Sequence, residues 1–149
     1  MVAGSPKMGP LNVAEEHTMK YLVPFKKLKE SIRVVSTGGQ LKVDMNYDEL
    51  VTIIKKLLAA VPVDEDFYRR SYPDVAEAID AGTYRNAKHH FVDYGYFEGR
   101  RPFEPEVDET FYLKNNPDVE QGIEAGTIKS VAGHFAEHGY DEGRLPIQI

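Results

Sequence analysis

The histidines near the carboxyl terminus have the spacing of metal ligands. His134 and His138 are four residues apart, so a helix would place both imidazole rings on one face. The carboxylates of Glu137 and Asp141 lie nearby in sequence. Imidazole and carboxylate groups in this arrangement can bind a divalent cation. A related segment earlier in the chain has Tyr94 where His138 stands, so the pattern favours structural histidines and we predict no metal site.

His90 and His134 occupy equivalent positions in those two segments, and each is followed by a phenylalanine. A histidine placed twice by the same local pattern is more typical of a folding role than of catalysis. We therefore expect each ring to pack inside the fold and to donate one N–H group to a nearby carbonyl oxygen.

Two Glu-Gly-Arg tripeptides, which begin at Glu98 and Glu142, suggest anion chemistry. An arginine can bind a carboxylate or a phosphate through two parallel hydrogen bonds. Each tripeptide carries its own glutamate, however, which favours pairing within the tripeptide or with the acidic start of a helix in the adjoining segment. We expect Arg100 and Arg144 to fix a turn rather than to bind a ligand.

A cluster of basic residues lies in the first quarter of the chain. It can bind nucleic acid, a phospholipid surface or the acidic part of a second copy, or it can be a solvated face. Residues 1–62 carry nine Lys or Arg against six Asp or Glu, whereas residues 63–149 carry nine against eighteen. The net charge of −6 argues against nucleic acid, and the opposite charges of the two parts favour self-association. The candidate partner-binding residues are Lys20, Lys26, Lys27, Lys29 and Arg33.

The composition excludes several kinds of chemistry. The chain has no cysteine, so it has no disulfides, thiolate metal sites or cysteine nucleophiles. It shows no Ser-His-Asp order, phosphate loop or dinucleotide fingerprint. It also lacks the apolar runs of a membrane span or a signal peptide. We predict a soluble, cytoplasmic protein that is not an enzyme and uses no cofactor.

An internal duplication positions the residues named above. Residues 63–102 align without a gap with residues 107–146, at an offset of 44 residues, and 20 of the 40 columns are identical. We therefore interpret residues 63–106 and 107–149 as two copies of one structural repeat. The signature of the repeat comprises Phe67, Tyr68, Pro73, Asp74, Gly82, His90, Gly95, Glu98 and Arg100 in the first copy, and Phe111, Tyr112, Pro117, Asp118, Gly126, His134, Gly139, Glu142 and Arg144 in the second.

Each copy is predicted to form three short helices. Asp64 is suited to cap the first helix, and Pro73 to open the second at a position where a missing N–H group costs nothing. Gly82 is placed to end the second helix in a left-handed conformation. The residues 44 positions later repeat these signals.

The third helix of the first copy is predicted over about 84–94, with Thr83 as its cap and Gly95 as its left-handed end. The second copy carries the same signals at Thr127 and Gly139. Helix, cap and glycine end would then place His90 and its counterpart inside a helix.

The repeated segments resemble a short bacterial repeat. Its pattern is close to F-Y-L-x-x-N-P-D-V-A-x-A-V-x-x-G, followed by H-Y or H-F and then by G-x-x-E-G-R-x-P. The second copy matches this pattern closely over 111–119 and 134–144, whereas the first departs from it at Ser71 and Tyr72. The repeat occurs beside glycosyltransferase domains and in large secreted or surface-associated proteins. The resemblance covers residues 63–147 and implies an accessory or interaction module.

Residues 19–62 are predicted to form a β-hairpin and a helix. Strands over 33–36 and 40–45 flank a Thr-Gly-Gly turn, and residues 21–23 can add a third short strand. The amphipathic helix follows over about 47–60. Because two repeats are fewer than such arrays usually need, we expect this region to act as a capping or dimerisation element.

The amphipathic helix begins with a capping pair, Asn46 and Glu49, and carries an apolar stripe from Leu50 to Val61. This stripe must pack against the hairpin or against the first repeat. A two-stranded hairpin is marginal in water, so either the helix covers it or a second copy of the chain completes the sheet.

The predicted fold class is mainly α, and α+β overall, with two tandem three-helix repeats preceded by a small β-hairpin and a helix. The predicted organisation is a flexible arm over 1–18, the hairpin and helix over 19–62, and repeats over 63–106 and 107–149.

The sequence predicts a non-catalytic protein–protein interaction or scaffold module, an accessory to a glycan-synthesis or cell-envelope system. Its partner would be another protein or a second copy of the chain, and residues 19–62 would form the contact between copies. One alternative is a carbohydrate-binding accessory protein, in which exposed tyrosines such as Tyr72, Tyr84, Tyr94 and Tyr96 stack on the sugar rings of a polysaccharide. The other is an auxiliary or regulatory subunit of an enzyme complex that docks through the basic hairpin.

Overall fold

The structure is a computed structural model that describes residues 22–149. The predicted arm over 1–18 lies outside the described residues, as do Lys20 and Tyr21. The described part is mainly helical and contains a small antiparallel hairpin, which confirms the mainly α class.

The chain divides into two compact units, one ending at Pro102 and one spanning Phe103–Ile149. In its described part the first unit contains α1 (Phe25–Lys29), β1 (Arg33–Thr37), β2 (Gln40–Asp44), α2 (Tyr47–Leu58), α3 (Glu65–Ser71), α4 (Pro73–Asp80), α5 (Ala87–His90) and a π-helical segment (Phe91–Gly95). The second contains α6 (Glu109–Asn115), α7 (Pro117–Glu124), α8 (Val131–His134) and a π-helical segment (Phe135–Gly139).

The hairpin forms at the predicted turn. β1 and β2 pair antiparallel along their full length, and Gly38 and Gly39 between them have φ angles of +59° and +78°. Two successive residues with positive φ match the twist of the strands, and glycine adopts them without strain. Among the described residues the sheet has these two strands, so Leu22 and Val23 add no third one. Pro24 instead precedes α1, which the sequence did not predict.

α2 begins with the predicted capping pair. The Asn46 side chain accepts a hydrogen bond from the Glu49 amide at 3.0 Å, and the Glu49 carboxylate accepts one from the Asn46 amide at 2.8 Å. The apolar stripe of α2 packs through Ile54 and Leu58 on the core of the first repeated segment. The stripe does not cover the hairpin, where Val35 is half-buried and the other nine strand residues are exposed.

The first two helices of the repeated segment begin and end as predicted. The Asp64 carboxylate accepts a hydrogen bond from the Phe67 amide at 2.9 Å, which caps α3. Pro73 is the first residue of α4, and Gly82 follows that helix with a φ of +79°. The equivalent residues of the second unit have the same roles.

The third helix begins later than predicted. The Thr83 amide donates to the Ala78 carbonyl at 2.8 Å, so Thr83 closes the turn after α4 and opens no new helix. Asn86 caps α5 instead. In the second unit the cap of α8 is Ser130 and not Thr127.

The predicted helix end at Gly95 is also wrong. The chain passes from α5 into the π-helical segment Phe91–Gly95, and Gly95 keeps a right-handed conformation. The glycine with positive φ is Gly99, at +76°. In the second unit Gly143 has this role in place of Gly139.

Each unit has its own core around a fully buried tyrosine. Tyr68 packs with Val75, Ala87 and Phe91, among others, in the first unit. Tyr112 packs with Val119, Val131 and Phe135 in the second. The helices α6, α7 and α8 and the second π-helical segment begin and end 44 residues after their counterparts.

Candidate functional site

A tyrosine and a histidine meet at the centre of each unit. Tyr68 Oη lies 2.9 Å from His90 Nδ1, and the two residues are 0% and 3% exposed. In the second unit Tyr112 Oη lies 3.1 Å from His134 Nδ1. The partner that the structure gives each ring is therefore a phenol group, 22 residues earlier in the chain, and not the expected carbonyl.

Burial determines the protonation of the first pair. Desolvation lowers the pKa of His90 and raises the pKa of Tyr68, so both groups are neutral near pH 7. Glu98 Oε2 lies 3.9 Å from His90 Nε2, which favours a proton on Nε2. Nδ1 is then the acceptor for the tyrosine hydroxyl. The pair forms an enclosed structural hydrogen bond.

Gly95 leaves space for the hydroxyl of Tyr68. A Cβ atom at position 95 would overlap Tyr68 Oη, and one at Gly139 would overlap Tyr112 Oη. These two glycines are therefore required for close approach, although the sequence predicted them as helix ends. Each glycine is distant in sequence from the tyrosine whose hydroxyl it approaches, so local helix signals did not reveal this contact.

Each Glu-Gly-Arg tripeptide binds the start of a helix in its own unit. Arg100 donates to the two carboxylate oxygens of Asp74, near the start of α4, at 3.0 and 2.8 Å, and to Glu98 at 2.8 Å. Arg144 donates to the two oxygens of Asp118, both at 2.9 Å. The pairing is thus both within the tripeptide and with a helix start of the same unit, where the sequence predicted a helix start of the adjoining segment. We call this arrangement the arginine clamp.

Different residues support the arginine clamp in the two units. The guanidinium carbon of Arg100 lies over the ring of Tyr72, 4.9 Å from its centroid. Asn116 replaces this tyrosine in the second unit, and its Oδ1 accepts a hydrogen bond from Arg144 at 3.0 Å. Hydrogen bonds from Arg100 lower the pKa of Asp74, so the clamp stays charged into the acid range.

The two histidines near the carboxyl terminus lie close together but have different partners. The rings of His134 and His138 are 5.6 Å apart between centroids, and His134 is hydrogen-bonded to Tyr112. Glu137 Oε2 lies 4.0 Å from His138 Nε2. Within residues 22–149, no group of three or more His, Asp or Glu side chains is arranged to hold a metal ion.

The described members of the basic cluster lie on two successive elements. Three lysines belong to α1, where Lys27 pairs with Glu30 at 3.0 Å. Arg33 lies on β1, 3.8 Å from Asp44 across the hairpin. Both pairs are well exposed to solvent, so each contributes little to stability. The remaining described members, Lys26 and Lys29, are exposed.

Two of the four tyrosines expected at the surface are packed instead. The rings of Tyr72 and Tyr68 are 4.7 Å apart, and the Tyr72 hydroxyl accepts a hydrogen bond from the Arg101 amide at 2.7 Å. The ring of Tyr84 lies 4.7 Å from that of His90. Both tyrosines are half-buried because they pack around the central pair.

The other two tyrosines are exposed, and the ring of Tyr96 lies beside a phenylalanine ring. Tyr94, Tyr96 and Phe97 are 51%, 44% and 40% exposed, and we call these three residues, which are neighbours in sequence, the aromatic patch. The rings of Tyr96 and Phe97 are 5.4 Å apart and nearly perpendicular. Phe97 is not among the residues predicted from the sequence. Its counterpart in the second copy is Asp141, and this difference is the signal that marks it.

Comparison with known proteins found no match among family models, curated proteins or solved structures. Over the residues that the structure describes, no helix combines the length and the apolar character needed to cross a membrane. The residue roles given above therefore rest on the sequence and on contacts within each unit.

Proposed function

We propose that the chain is a non-catalytic protein–protein interaction module built on two tandem helical repeats. The observation that carries this proposal is the use made of the identical positions. In each copy they make the same internal contacts, namely the aspartate cap, the tyrosine–histidine hydrogen bond and the arginine clamp. A constant framework of this kind is typical of repeat proteins that bind partners through their variable surface.

Two exposed aromatic positions of the first copy, by contrast, carry other residues in the second. His138 and Asp141 stand where the first copy has Tyr94 and Phe97. Exposed aromatic side chains contribute strongly to protein–protein interfaces because they bury a large area with few rotatable bonds. The aromatic patch is therefore the candidate partner-binding surface of the first unit.

A matched pair of variants tests this function. The double variant Tyr94→Ala/Phe97→Ala removes the two rings of the patch that the second copy lacks, whereas Tyr47→Ala removes an aromatic ring that is 74% exposed on α2. Immobilised wild type and variants are incubated with extract of the source cells, and bound proteins are quantified by mass spectrometry. We expect a protein that wild type and Tyr47→Ala retain and the double variant loses. Equal retention by all three, or no specific retention, contradicts the proposal.

The proposal includes an accessory role in glycan synthesis or in the cell envelope. Its support is the resemblance of the repeated segments to the bacterial repeat found beside glycosyltransferase domains. The retained protein is then expected to be a glycosyltransferase or an envelope protein. A patch-dependent partner of another kind would preserve the interaction function and contradict this narrower assignment.

Carbohydrate binding is the second candidate, favoured by the exposure of Tyr94 and Tyr96. An exposed phenol ring can stack on the apolar face of a sugar. The salt bridge between Lys55 and Asp93, 3.1 Å long, lies beside Tyr94 and offers polar partners for hydroxyl groups. A glycan array tests this candidate with Tyr94→Phe, which preserves stacking, and Tyr94→Ala, which abolishes it. Equal glycan binding by the two variants, or no binding at all, contradicts carbohydrate binding through Tyr94.

A further inference from the structure

The hairpin has an apolar face that the described residues leave open to solvent. Alternation along the paired strands places Val34, Leu41 and Val43 on this face. They are 40%, 79% and 53% exposed, and every residue of β2 is exposed. Because two strands alone are marginally stable in water, pairing with an added strand would stabilise this hairpin.

The outer edge of β2 has the backbone groups to accept such a strand. The two-residue turn makes Thr37 and Gln40 a hydrogen-bonded pair, and hydrogen-bonded and non-hydrogen-bonded pairs alternate along the ladder. Leu41 and Val43 belong to non-hydrogen-bonded pairs, so their N–H and C=O groups point away from β1. An edge of this kind pairs readily with another extended chain.

The charges of β2 favour one register for a second copy of the same strand. With Val43 on a two-fold axis, Lys42 of each copy lies opposite Asp44 of the other, and Leu41 lies opposite Met45. A register centred on Lys42 would instead place two lysines opposite each other, which is unfavourable. The Val43 register therefore pairs opposite charges on one face and apolar side chains on the other.

We propose that the chain forms a two-fold dimer in which β2 pairs antiparallel with β2 of a second copy, centred on Val43. The product is a four-stranded sheet with a continuous apolar face. On the other face Asp44 lies 3.8 Å from Arg33 of its own chain, so each Asp44 is placed between two cations. This dimer is separate from the proposed partner-binding function, because the hairpin and the aromatic patch share no residue.

Two charge-reversed variants of the full chain test the register. Lys42→Glu makes two acidic side chains face each other in its own dimer, and Asp44→Lys makes two basic side chains face each other. A one-to-one mixture of the variants restores two pairs of opposite charge. By sedimentation equilibrium we expect wild type and mixture to be dimeric at a concentration where each variant alone is monomeric. Far-UV circular dichroism confirms that both variants are folded.

The absence of cysteine in the chain permits a second test. Val43→Cys places two thiols across the axis with Cα atoms about 5.5 Å apart, within the range of a disulfide. Leu41→Cys is the matched control, since its Cα atoms would be about 13 Å apart along the strands. Mild oxidation is expected to link Val43→Cys into a covalent dimer and to leave Leu41→Cys unlinked.

Three results would overturn the dimer. They are a wild-type chain that stays monomeric up to millimolar concentration, equal linking of Val43→Cys and Leu41→Cys, and linking of a Val35→Cys variant in preference to both. The last result would show pairing through β1. None of them affects the test of the aromatic patch, so failure of this proposal and failure of the partner-binding function are distinguished.

Discussion

Tyr68 donates its hydroxyl hydrogen to His90 inside a core that excludes water, and Gly95 leaves the space that the hydroxyl fills. The three residues therefore depend on one another. A buried acceptor without a donor costs about 1–3 kcal/mol. An extra methyl group in a packed core costs a similar amount through displaced side chains.

A double-mutant cycle measures this dependence. Gly95→Ala is expected to lower the free energy of unfolding by about 1–3 kcal/mol, because its methyl group meets the Tyr68 hydroxyl. In the Tyr68→Phe background the oxygen is gone, so the same substitution should cost clearly less. Urea denaturation of the four proteins gives the coupling. Additive costs would contradict the close approach, and Tyr96→Phe, at an exposed ring, is the control.

His90 makes the stability of the first unit depend on pH. Burial lowers its pKa below the ordinary value of 6.5, so between these two values the unfolded chain binds a proton that the folded chain does not. The free energy of unfolding therefore falls as the pH drops through 6.5. The stability associated with a neutral His90 is fully lost once the pH is below the pKa of the folded state.

Thermal unfolding from roughly pH 7.5 to 5 checks this sign. The wild type is expected to lose more stability over this range than His90→Gln, which has no imidazole to protonate. If the two proteins show parallel pH profiles, burial of a neutral His90 is not the cause.

Local signals explain why the helix starts were predictable. Two such signals act within a single helical turn. One is a side-chain oxygen three residues before the amide that it caps, as at Asp64, and the other is a proline in the first turn, as at Pro73. The start at Thr83 was mistaken because Asn86, three residues on, is an equally suitable cap, and only the turn after α4 decides between them. The π-helical segment ends at Gly95, whose close approach to Tyr68 joins residues distant in sequence.

The arginine clamp was only partly predictable for a similar reason. The Glu-Gly-Arg sequence indicates pairing with a carboxylate, yet Arg100 and Asp74 are 26 residues apart. Which helix start an arginine reaches is decided by the path of α5 and the π-helical segment. The sequence therefore left two partners open.

Arg100→Gln is expected to raise the pKa of Asp74 back toward its ordinary value of 3.8, because the hydrogen bonds that favour the carboxylate are lost. Since a lowered carboxyl pKa stabilises the fold above that value, the wild type should gain more stability than the variant as the pH rises through 3.8. Carboxyl chemical shifts followed by NMR report the pKa. Arg70→Gln, at an exposed position on α3, should leave it unchanged.

At the scale of the molecule, α2 covers the core of the first unit. Leu58→Ala, at a residue that is 6% exposed, is expected to cost about 2–4 kcal/mol, whereas Leu57→Ala, at 39% exposed, should cost much less. Hydrogen exchange should accelerate in α3 to α5 for the first variant. Residues 103–149 have a core of their own and should exchange as in the wild type. Equal effects of the two variants would show that α2 is not a cover.

The contact of tyrosine, histidine and glycine also has a consequence for tracing descent. Tyr68 precedes His90 by 22 residues and Gly95 by 27, and the second unit repeats both intervals. Once the tyrosine hydroxyl is lost, the histidine has no hydrogen-bond donor and the glycine is no longer needed to leave space for it. In related chains that have diverged, the tyrosine, histidine and glycine positions should therefore change together, whereas helix-capping residues should change independently of one another. Those two intervals provide a search pattern for copies too divergent to be recognised by overall identity.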